Sequence, residues 1–373
     1  MHTGARKHLG PPVVGGTGPL LGFGAWAVGG SGWGEAGDEA ERLAAIRFAQ
    51  ERGIAFFDTA PRYGNGASER LLGQALKPHR DRVAIATKVG PRDDPRRSLE
   101  DSLRRLDSDY VDLIQLHEPL ERWEWQLDSL HTLQREGKAR SLGLCNATHQ
   151  QIRRALEIAP VVSFQAAYNL FDRDVEEREL PLCRERGLAF LAYRPLAAGL
   201  LSGKYASPPA FAAGDHRAGL YWFKGREFER RRAAIERLRP VAGHAGASLP
   251  SLALRWLLAR DGLTIVLAGA RNRTQVEANL TALAGPLALE MVQTIDGIVA
   301  EVFRLPRAAA QAVTLSTQWG PRERFIVERL DGTRSAESIA AEWTDGGEQP
   351  MVAAQVKVFV DQMAEQGLVE AER

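Results

Sequence analysis

Several short apolar runs of the sequence end in a side chain that can form hydrogen bonds or transfer a proton. These side chains are, in chain order, Asp58, Lys88, His117, Asn146, Gln165 and Tyr193. Another candidate, Tyr63, lies five residues beyond Asp58 and directly before Gly64, where a turn is predicted. One polar residue at the end of a strand is weak evidence of function. The same feature on six runs predicts a site, provided that the fold brings the ends of the runs together.

Four of these residues together suit protonation of a carbonyl oxygen: Asp58, Tyr63, Lys88 and His117. A phenol has an ordinary pKa near ~10 and is a poor acid at neutral pH, but a nearby ammonium lowers that pKa. The lysine is the candidate ammonium, the aspartate would hold it in place and keep it charged, and the histidine could donate a hydrogen bond to a substrate oxygen. The tyrosine could then supply a proton while a hydride reaches the carbonyl carbon.

Eight apolar runs with the character of strands recur along the chain. They are residues 20–23, 54–57, 83–87, 110–116, 141–145, 161–164, 188–192 and 264–268. Amphipathic segments typical of helices lie between most of them, for example residues 38–53 and 67–79. Alternating strands and helices predict parallel βαβ units. Eight units predict an α/β fold, a closed (β/α)8 TIM barrel, in which the C-terminal ends of all strands meet at one mouth.

The gap between the seventh and eighth runs is long and contains SPPAFAAGDHRAGLYWFKG, residues 207–225. On a barrel this segment would lie over the C-terminal face, where substrate pockets form. The alternative is a disordered insertion. The aromatic residues Tyr221, Trp222 and Phe223 favour a packed loop, because such side chains are costly to leave in water.

Composition excludes several classes of protein. The 373 residues are 44% hydrophobic and 25% charged, with a formal net charge of +1, so no strong field favours nucleic acid or an anionic membrane. The two cysteines, Cys145 and Cys183, do not make a disulfide framework and fit a reducing compartment. We find no signal-peptide pattern, no membrane span and no metal-ligand spacing such as H-E-x-x-H. We expect a cytoplasmic protein without a metal, and no carboxylate pair suits glycoside hydrolysis.

The segment GFGAWA, residues 22–27, matches the dinucleotide pattern G-x-G-x-x-A. That pattern requires the glycines to open a helix directly after a strand. Here GGSGWG follows at residues 29–34, and the next helix is predicted to begin only near Asp38. We therefore reject the Rossmann interpretation. Gly22 and Gly24 are better explained by a close approach of the backbone to a ligand or by a tight turn.

The sequence resembles the aldo-keto reductase family over about residues 18–303. The motifs that carry the resemblance are GIAFFDTAPRYGNGASERLLGQAL (53–76), VAIATKVG (83–90), YVDLIQLHEP (110–119), GKARSLGLCN (137–146), FQAAYN (164–169), LAYRPLAAGLLSGKY (191–205) and LAGARNRTQVEANL (267–280). The resemblance implies a (β/α)8 barrel that uses NADPH, or NADH as the alternative, to reduce a carbonyl compound without a metal. Its catalytic tetrad falls on Asp58, Tyr63, Lys88 and His117, with Tyr63 as the proton donor.

The same resemblance implies the residues that bind the cofactor. Asn146 and Gln165 would hold the nicotinamide carboxamide, and Tyr193 would stack on the nicotinamide ring. Positions matching the adenosine and 2′-phosphate region are Arg271, Gln275 and Asn279. The predicted cofactor contacts are completed by Gly24, Arg194, Leu196 and Gly269. Trp26 and Trp33, on the first loop, are the candidates for binding substrate.

Four positions depart from the usual family pattern. Cys145 replaces a serine that contacts the carboxamide, which weakens that hydrogen bond. Arg194 replaces a serine and could reach the pyrophosphate as a bidentate donor. Ala268 replaces a proline. Gln275 stands where some members have an arginine for the 2′-phosphate, so NADPH is favoured over NADH only moderately.

The last part of the chain does not resemble that family. We expect residues 1–303 to form the barrel, residues 304–313 a linker and residues 314–373 a small α+β domain. LDGTRSAESIAAEW (330–343) and VKVFVDQMAEQGLVE (356–370) resemble the PqqD-like winged helix. Such domains bind a leader peptide by adding it as a strand beside the β-wing. Similar segments also end other enzymes as structural or dimerising domains, so both interpretations stay open.

Two classes of function remain. The first is an NADPH-dependent reductase of aldehydes or ketones, acting on a small molecule or on a peptide or natural-product intermediate docked by residues 314–373. Its partners would be a carbonyl substrate and, in the second version, a precursor or leader peptide. The other class is a redox sensor that binds NADPH with little turnover and uses its tail for dimerisation or partner binding. The four intact tetrad residues count against the sensor.

Overall fold

The computed structural model describes residue 9, residues 20–34 and residues 37–303. Within this part of the chain eight parallel strands close into a barrel in sequence order, which confirms the expected (β/α)8 fold. The strands are β1 Leu20–Gly24, β2 Phe56–Asp58, β3 Ala84–Val89, β4 Val111–Leu116, β5 Ala139–Cys145, β6 Val161–Ala167, β7 Ala189–Tyr193 and β8 Leu263–Gly269. Pairing of Leu20 with Ile265, continuing to Gly24 with Gly269, joins β1 to β8 and completes the barrel.

Eight of the ten α-helices in the described part of the chain lie between strands, as the amphipathic segments predict, and the last two follow β8. The ten helices are α1 Glu39–Glu51, α2 Ala67–Leu76, α3 Pro95–Leu106, α4 Trp123–Arg135, α5 His149–Ile158, α6 Glu179–Arg186, α7 Gly225–His244, α8 Leu249–Leu258, α9 Arg273–Leu280 and α10 Leu289–Phe303. Side-chain caps fix several starts, because a cap satisfies a backbone N–H that the helix leaves unpaired. Asp38 caps α1, and Asn272 caps α9 beside the predicted cofactor residues.

Two apolar clusters hold the barrel together. The larger lies between the outer face of the strands and the surrounding helices. The smaller fills the barrel interior and includes Phe56 of β2, Leu113 of β4 and Leu191 of β7. Because side chains alternate along a strand, residues two positions further toward the C-terminal end point the same way. Asp58, Gln115 and Tyr193 therefore stand above this inner layer.

The strands extend further than the apolar runs. The runs at residues 54–57 and 83–87 stop before Asp58 and Lys88, yet Asp58 is the last residue of β2 and Lys88 lies inside β3. Likewise Gln165 lies within β6, and Tyr193 ends β7. Hydrophobicity ends where the barrel mouth begins, but the backbone pairing continues through the polar residues. These side chains are therefore held by strands rather than by loops.

The long segment between β7 and α7 is folded onto the first loop of the barrel. It contains short 3-10 helices at His216–Gly219 and Tyr221–Phe223. Trp222 and Phe223 are buried, as expected for aromatic residues in a packed loop. The backbone N–H of His216 donates to the carbonyl of Gly32, 3.0 Å away. The segment and the β1–α1 loop thus meet at the barrel mouth.

Residues 304–313 and 314–373, the expected linker and winged-helix-like domain, lie outside the described residues. The predicted domain boundaries therefore remain predictions. Among the residues described, no helix combines the length and the apolar character needed to cross a membrane.

Candidate active site

The ammonium of Lys88 lies at the centre of the site and uses all of its donors. Lys88 is fully buried on β3. Its Nζ lies 2.6 Å from Asp58 Oδ1, 2.9 Å from the carbonyl of Thr59 and 3.3 Å from the hydroxyl of Tyr63. Burial by itself lowers the pKa of Lys88, but the carboxylate of Asp58 raises it, and the net pKa lies above the ordinary value. Lys88 is therefore a permanent cation, and each of its three N–H groups has one of these oxygens as its acceptor.

Tyr63 is placed beside Lys88 by a tight turn after β2. Gly64 follows it with a φ of +62°, and a Cβ there would stand 1.8 Å from the carbonyl oxygen of Gly29. Only glycine fits this close approach. Since the hydroxyl of Tyr63 accepts from Lys88, its own hydrogen is left to point elsewhere, which suits a proton donor.

The protonation of Tyr63 differs from the sequence-based expectation. Burial raises the pKa of Tyr63 from 10.0 to about 12, although the charge of Lys88 acts in the expected direction and lowers it. Desolvation disfavours the phenolate more than one ammonium favours it, particularly since Asp58 also raises this pKa. The structure thus corrects the expectation that Lys88 brings the phenol toward neutral pH.

His117 follows β4 and faces the phenol. The two rings are 6.0 Å apart and nearly perpendicular. Burial, together with the cations of Lys88 and Arg62, lowers the pKa of His117 to about 3. The imidazole is therefore neutral at physiological pH and carries one N–H donor and one acceptor. A neutral imidazole can donate one hydrogen bond, and its donation to a substrate oxygen stays a prediction.

The second oxygen of Asp58 is held by two glutamine amides. Gln165 Nε2 lies 2.9 Å from Asp58 Oδ2, and Gln115 Nε2 lies 3.3 Å from the same atom. Gln165 was expected to bind a carboxamide, whereas Gln115 was not singled out in the sequence. The period of two along β4 could have identified it, because Gln115 shares the inward face that leads to His117.

A chain of hydrogen bonds runs on from Gln165 to the predicted nicotinamide residues. The thiol of Cys145 donates to Gln165 Oε1 at 3.4 Å, and Asn146 Nδ2 donates to the sulfur at 3.3 Å. The hydroxyl of Tyr193 donates to Asn146 Oδ1 at 2.8 Å. Burial raises the pKa of Cys145 to about 12, so this thiol remains protonated and is a poor nucleophile.

The residues around Tyr193 fit a flat, charged cofactor. Arg194 follows β7 in a left-handed conformation, with a φ of 52°. Its guanidinium lies 5.5 Å from the ring of Tyr193 and 5.7 Å from that of Trp26. Its buried Nε has no hydrogen-bond partner among the residues described. A buried donor without a partner beside an aromatic ring is well suited to an anionic group such as a pyrophosphate.

The other predicted cofactor residues form a second group at the start of α9. Gln275 Oε1 accepts from the backbone N–H of Arg271, and Asn279 Nδ2 donates to the carbonyl of Gly269. Gln275 and Asn279 therefore shape the β8–α9 turn in this structure. A cleft of about 390 Å³ opens beside them, lined by Trp33, Gly34, Gly37, Glu41, Arg42, Arg217, Arg271 and Asn272.

The two predicted substrate residues connect these groups. The ring of Trp26 stacks on Tyr63, with 5.7 Å between centroids and 19° between planes. Trp33 meets Trp26 edge-on at 5.2 Å and lines the cleft beside the second group. His216 contacts both indoles, each at 4.3 Å. Neither His216 nor Arg217 was singled out in the sequence, because their proximity to the site depends on how the long segment folds back.

Two predicted contacts lie at the edge of these groups. Gly24, at the end of β1, pairs with Asp58 on one side and with Gly269 on the other. It thus lies between the tetrad and the β8–α9 turn. Leu196 lies two residues beyond Arg194 and precedes the 3-10 helix at Ala197–Ser202. GFGAWA continues from β1 into a 3-10 turn rather than an α-helix, as expected when the Rossmann interpretation was rejected.

Comparison with known proteins places the chain in a family. Residues 20–300 match the Aldo/keto reductase family. The chain is 36% identical over 275 residues to the aldo-keto reductase YhdN of Bacillus subtilis (strain 168), with 69% of this chain and 83% of the relative covered. The protein therefore belongs to the aldo-keto reductase family, and the expectation of an enzyme of this family is confirmed.

Two further matches concern cofactors. The NADH-specific methylglyoxal reductase of Escherichia coli (strain K12) is 32% identical over 299 residues, which cover 70% of this chain and 89% of that protein. An aldo/keto reductase from Klebsiella pneumoniae, solved with NADP and acetate, superposes with a TM-score of 0.61 at 27% identity. This superposition covers 75% of this chain and 91% of the other.

Proposed function

We propose that the protein is an NADPH-dependent reductase of an aldehyde or ketone, with NADH as the alternative cofactor. The observation that carries the proposal is the buried ammonium of Lys88, which bridges the carboxylate of Asp58 and the hydroxyl of Tyr63. A cation fixed behind a phenol stabilises the negative charge that develops there when the proton leaves. Such stabilisation is needed when the phenol gives up its proton.

In this mechanism the chain's own residues bind and polarise the carbonyl and provide the proton. His117, neutral at physiological pH, donates a hydrogen bond to the carbonyl oxygen. Tyr63 transfers its proton to that oxygen, and Lys88 stabilises the resulting phenolate. A nicotinamide held by Asn146, Gln165 and Tyr193 would supply the hydride to the carbonyl carbon. Trp26, stacked on Tyr63, shields the phenol from water and would line the substrate's path.

The cofactor assignment combines the site with its relatives. Asn146 and Gln165 would bind the carboxamide, Tyr193 would stack on the nicotinamide, and Arg194 would meet the pyrophosphate. Both NADP and NADH occur with related proteins. NADPH is favoured because Arg42 and Arg271 line the cleft beside the β8–α9 turn and add positive charge there. Arg217 also lines the cleft but is paired with Asp215, and Glu41 contributes one negative charge. Equal affinity for NADH and NADPH, measured by fluorescence titration, would contradict this preference.

Replacement of Tyr63 tests the catalytic proposal. Tyr63→Phe removes only the hydroxyl, so carbonyl reduction should fall by roughly 10²–10⁴-fold, as expected for loss of a general acid. Cofactor affinity, measured by fluorescence quenching, should stay within about twofold of wild type, because the hydroxyl of Tyr63 is not among the proposed cofactor contacts. Retained turnover in Tyr63→Phe would exclude the proposed acid. Absence of turnover by the wild type on a panel of aldehydes and ketones would favour the sensor hypothesis.

A finer proposal concerns the substrate and rests on residues outside the described part of the chain. The resemblance of residues 314–373 to PqqD-like domains supports docking of a peptide that carries the carbonyl. A chain truncated after Phe303 should then lose turnover of the peptide substrate while keeping turnover of a small aldehyde. Equal loss or equal retention for both substrates would reject docking and leave a small-molecule reductase.

A further inference from the structure

Gln115 is a fully buried amide directly below the catalytic residues. It lies on β4, two positions after Leu113 of the inner core and two before His117. Its Nε2 lies 3.3 Å from Asp58 Oδ2, the oxygen that does not contact Lys88. The residue therefore reaches the catalytic pair from the side opposite the ammonium.

The side-chain amide of Gln115 makes one hydrogen bond in the described part of the chain, from its Nε2 to Asp58. Its Oε1 is buried and has no hydrogen-bond partner among the residues described. An unpaired buried carbonyl costs free energy, so a leucine of similar size would serve the packing as well or better. Stability alone therefore does not explain an amide at this position.

The neighbouring strand leaves room for this side chain. At Gly143 of β5 a Cβ would stand 3.0 Å from Gln115 Cγ and 2.3 Å from the hydroxyl oxygen of Ser163. A side chain at Gly143 would clash with Ser163 and would also press on Gln115. Gly143 is paired with Gln115 on the neighbouring strand, and its lack of a side chain leaves space for the glutamine.

We propose that Gln115 is a positioning residue of the reduction: its amide turns Asp58 so that Oδ1 faces Lys88, and it offsets part of the carboxylate's negative charge at Tyr63. The inference rests on the proposed function, since it concerns the proton that Tyr63 donates. Gln165 makes the corresponding contact at 2.9 Å, so the two amides hold one oxygen while Lys88 holds the other. Gln115 touches neither Tyr63 nor Lys88 through a hydrogen bond and acts only through Asp58.

Loss of the amide has a direction that can be predicted. Without the N–H of Gln115, Asp58 presents more negative charge to Tyr63, and a nearby negative charge raises the pKa of a phenol. In the alcohol-oxidation direction Tyr63 must be deprotonated to accept a proton. The acidic limb of the pH profile should therefore move to higher pH.

The experiment uses full-length Gln115→Leu and Gln115→Met variants and one matched control. Gln126 of α4 is also a buried glutamine, and its Nε2 donates to the carbonyls of Gly90 and Asp93 at 3.0 and 2.9 Å. Gln126→Leu thus removes a buried amide without touching Asp58. The measured quantity is kcat/KM for alcohol oxidation as a function of pH. We expect its acidic limb to move to higher pH by about half a unit or more in both Gln115 variants and to stay in place in Gln126→Leu. Thermal melts confirm that each variant is folded.

Two results would overturn the inference: an unshifted limb in both Gln115 variants, or an equal shift in Gln126→Leu. A readout without turnover separates this inference from the proposed function. In protein labelled with ¹⁵N-glutamine, the side-chain amide signal that disappears in Gln115→Leu should move in Asp58→Asn. If that signal does not move, the inference fails even when the enzyme is active. If it moves but the wild type reduces no carbonyl, only the proposed function fails.

Discussion

At the scale of single residues, burial and neighbouring charges both shift the pKa of the site's ionisable groups. Which of the two has the larger effect differs from one group to the next. For Lys88 the adjacent carboxylate outweighs burial and keeps the ammonium charged. For Tyr63 and His117 burial is the larger effect, so both are neutral near pH 7. The tetrad is therefore one fixed ion pair with two neutral groups at its open side. A neutral donor and a neutral acid suit a carbonyl better than two charges would.

The low pKa of His117 predicts a loss of folding stability in acid. In the unfolded chain this histidine has a pKa near 6.5, and in the folded protein it is about 3. Below about pH 6.5 His117 becomes protonated in the unfolded state but stays neutral in the folded state. The free energy of unfolding therefore falls as the pH drops from about 6.5 toward about 3. In His117→Asn this contribution disappears. The decrease in Tm between about pH 7 and about pH 4.5 should be smaller than in wild type.

His244→Asn serves as the control for that measurement. His244 is exposed near the end of α7, and its ring contacts the carbonyl of Pro240. Its replacement should leave the acid sensitivity unchanged. A His117→Asn protein that loses stability in acid as steeply as wild type would show that other groups dominate this pH range.

At the scale of elements, the barrel mouth depends on one long segment folding back onto the first loop. His216 connects the two through its contacts with Trp26 and Trp33 and through its ring Nδ1, which lies against the carbonyl of Gly32. Arg217 adds a hydrogen bond to the carbonyl of Trp33 at 3.3 Å. Since Trp26 also stacks on Tyr63, the position of this segment affects the surroundings of the proposed proton donor.

Removal of the histidine ring should loosen this segment. His216→Ala deletes both ring contacts and the side-chain contact with Gly32, so local opening should need less free energy. Limited proteolysis should then cut between residues 205 and 224 several times faster than in wild type. His244→Ala, which removes a surface histidine, should not change the rate. If the two variants were cut at equal rates, the contacts of His216 would not hold the segment.

At the scale of the whole molecule, one carboxylate of the last described helix accepts hydrogen bonds from several parts of the chain. Asp296 of α10 accepts from Arg173 at 2.8 Å, from the indole N–H of Trp256 at 2.9 Å and from Arg260 at 3.0 Å. The three donors come from the region after β6 and from α8 and its C-terminal end. Because Trp256 is fully buried, its N–H has no access to water as a substitute partner.

Loss of this carboxylate should destabilise the fold. Asp296→Ala leaves a buried indole N–H without its acceptor and two arginines without this partner, so we expect the free energy of unfolding to fall by about 1–3 kcal/mol. Glu290→Ala, at an exposed position near the start of the same helix, should change it by less than about 0.5 kcal/mol. Urea denaturation of both variants provides the comparison. Equal stabilities would mean that apolar packing alone holds α10.

Much of the site could be predicted because a parallel barrel brings the ends of its strands together. The apolar runs located the strands to within a few residues, and the polar residues after them could therefore be assigned to one mouth. Gln115 was not predicted: the period of two along β4 places it on the inward face, but nothing local shows that its amide contacts Asp58, 57 residues away. His216 was not predicted, because it lies 184 residues from Gly32, the residue with which its ring makes contact.

The sequence by itself determined the class of fold, the family and the positions of Asp58, Tyr63, Lys88 and His117, since strand periodicity and motif spacing are local properties of the chain. The tertiary structure alone decided how those residues are charged and held. Burial reversed the expected direction of the shift in the pKa of Tyr63, and two amides from distant strands were found on Asp58. The physical reason is that desolvation and hydrogen bonding depend on distances between residues far apart in the chain, which no local pattern encodes.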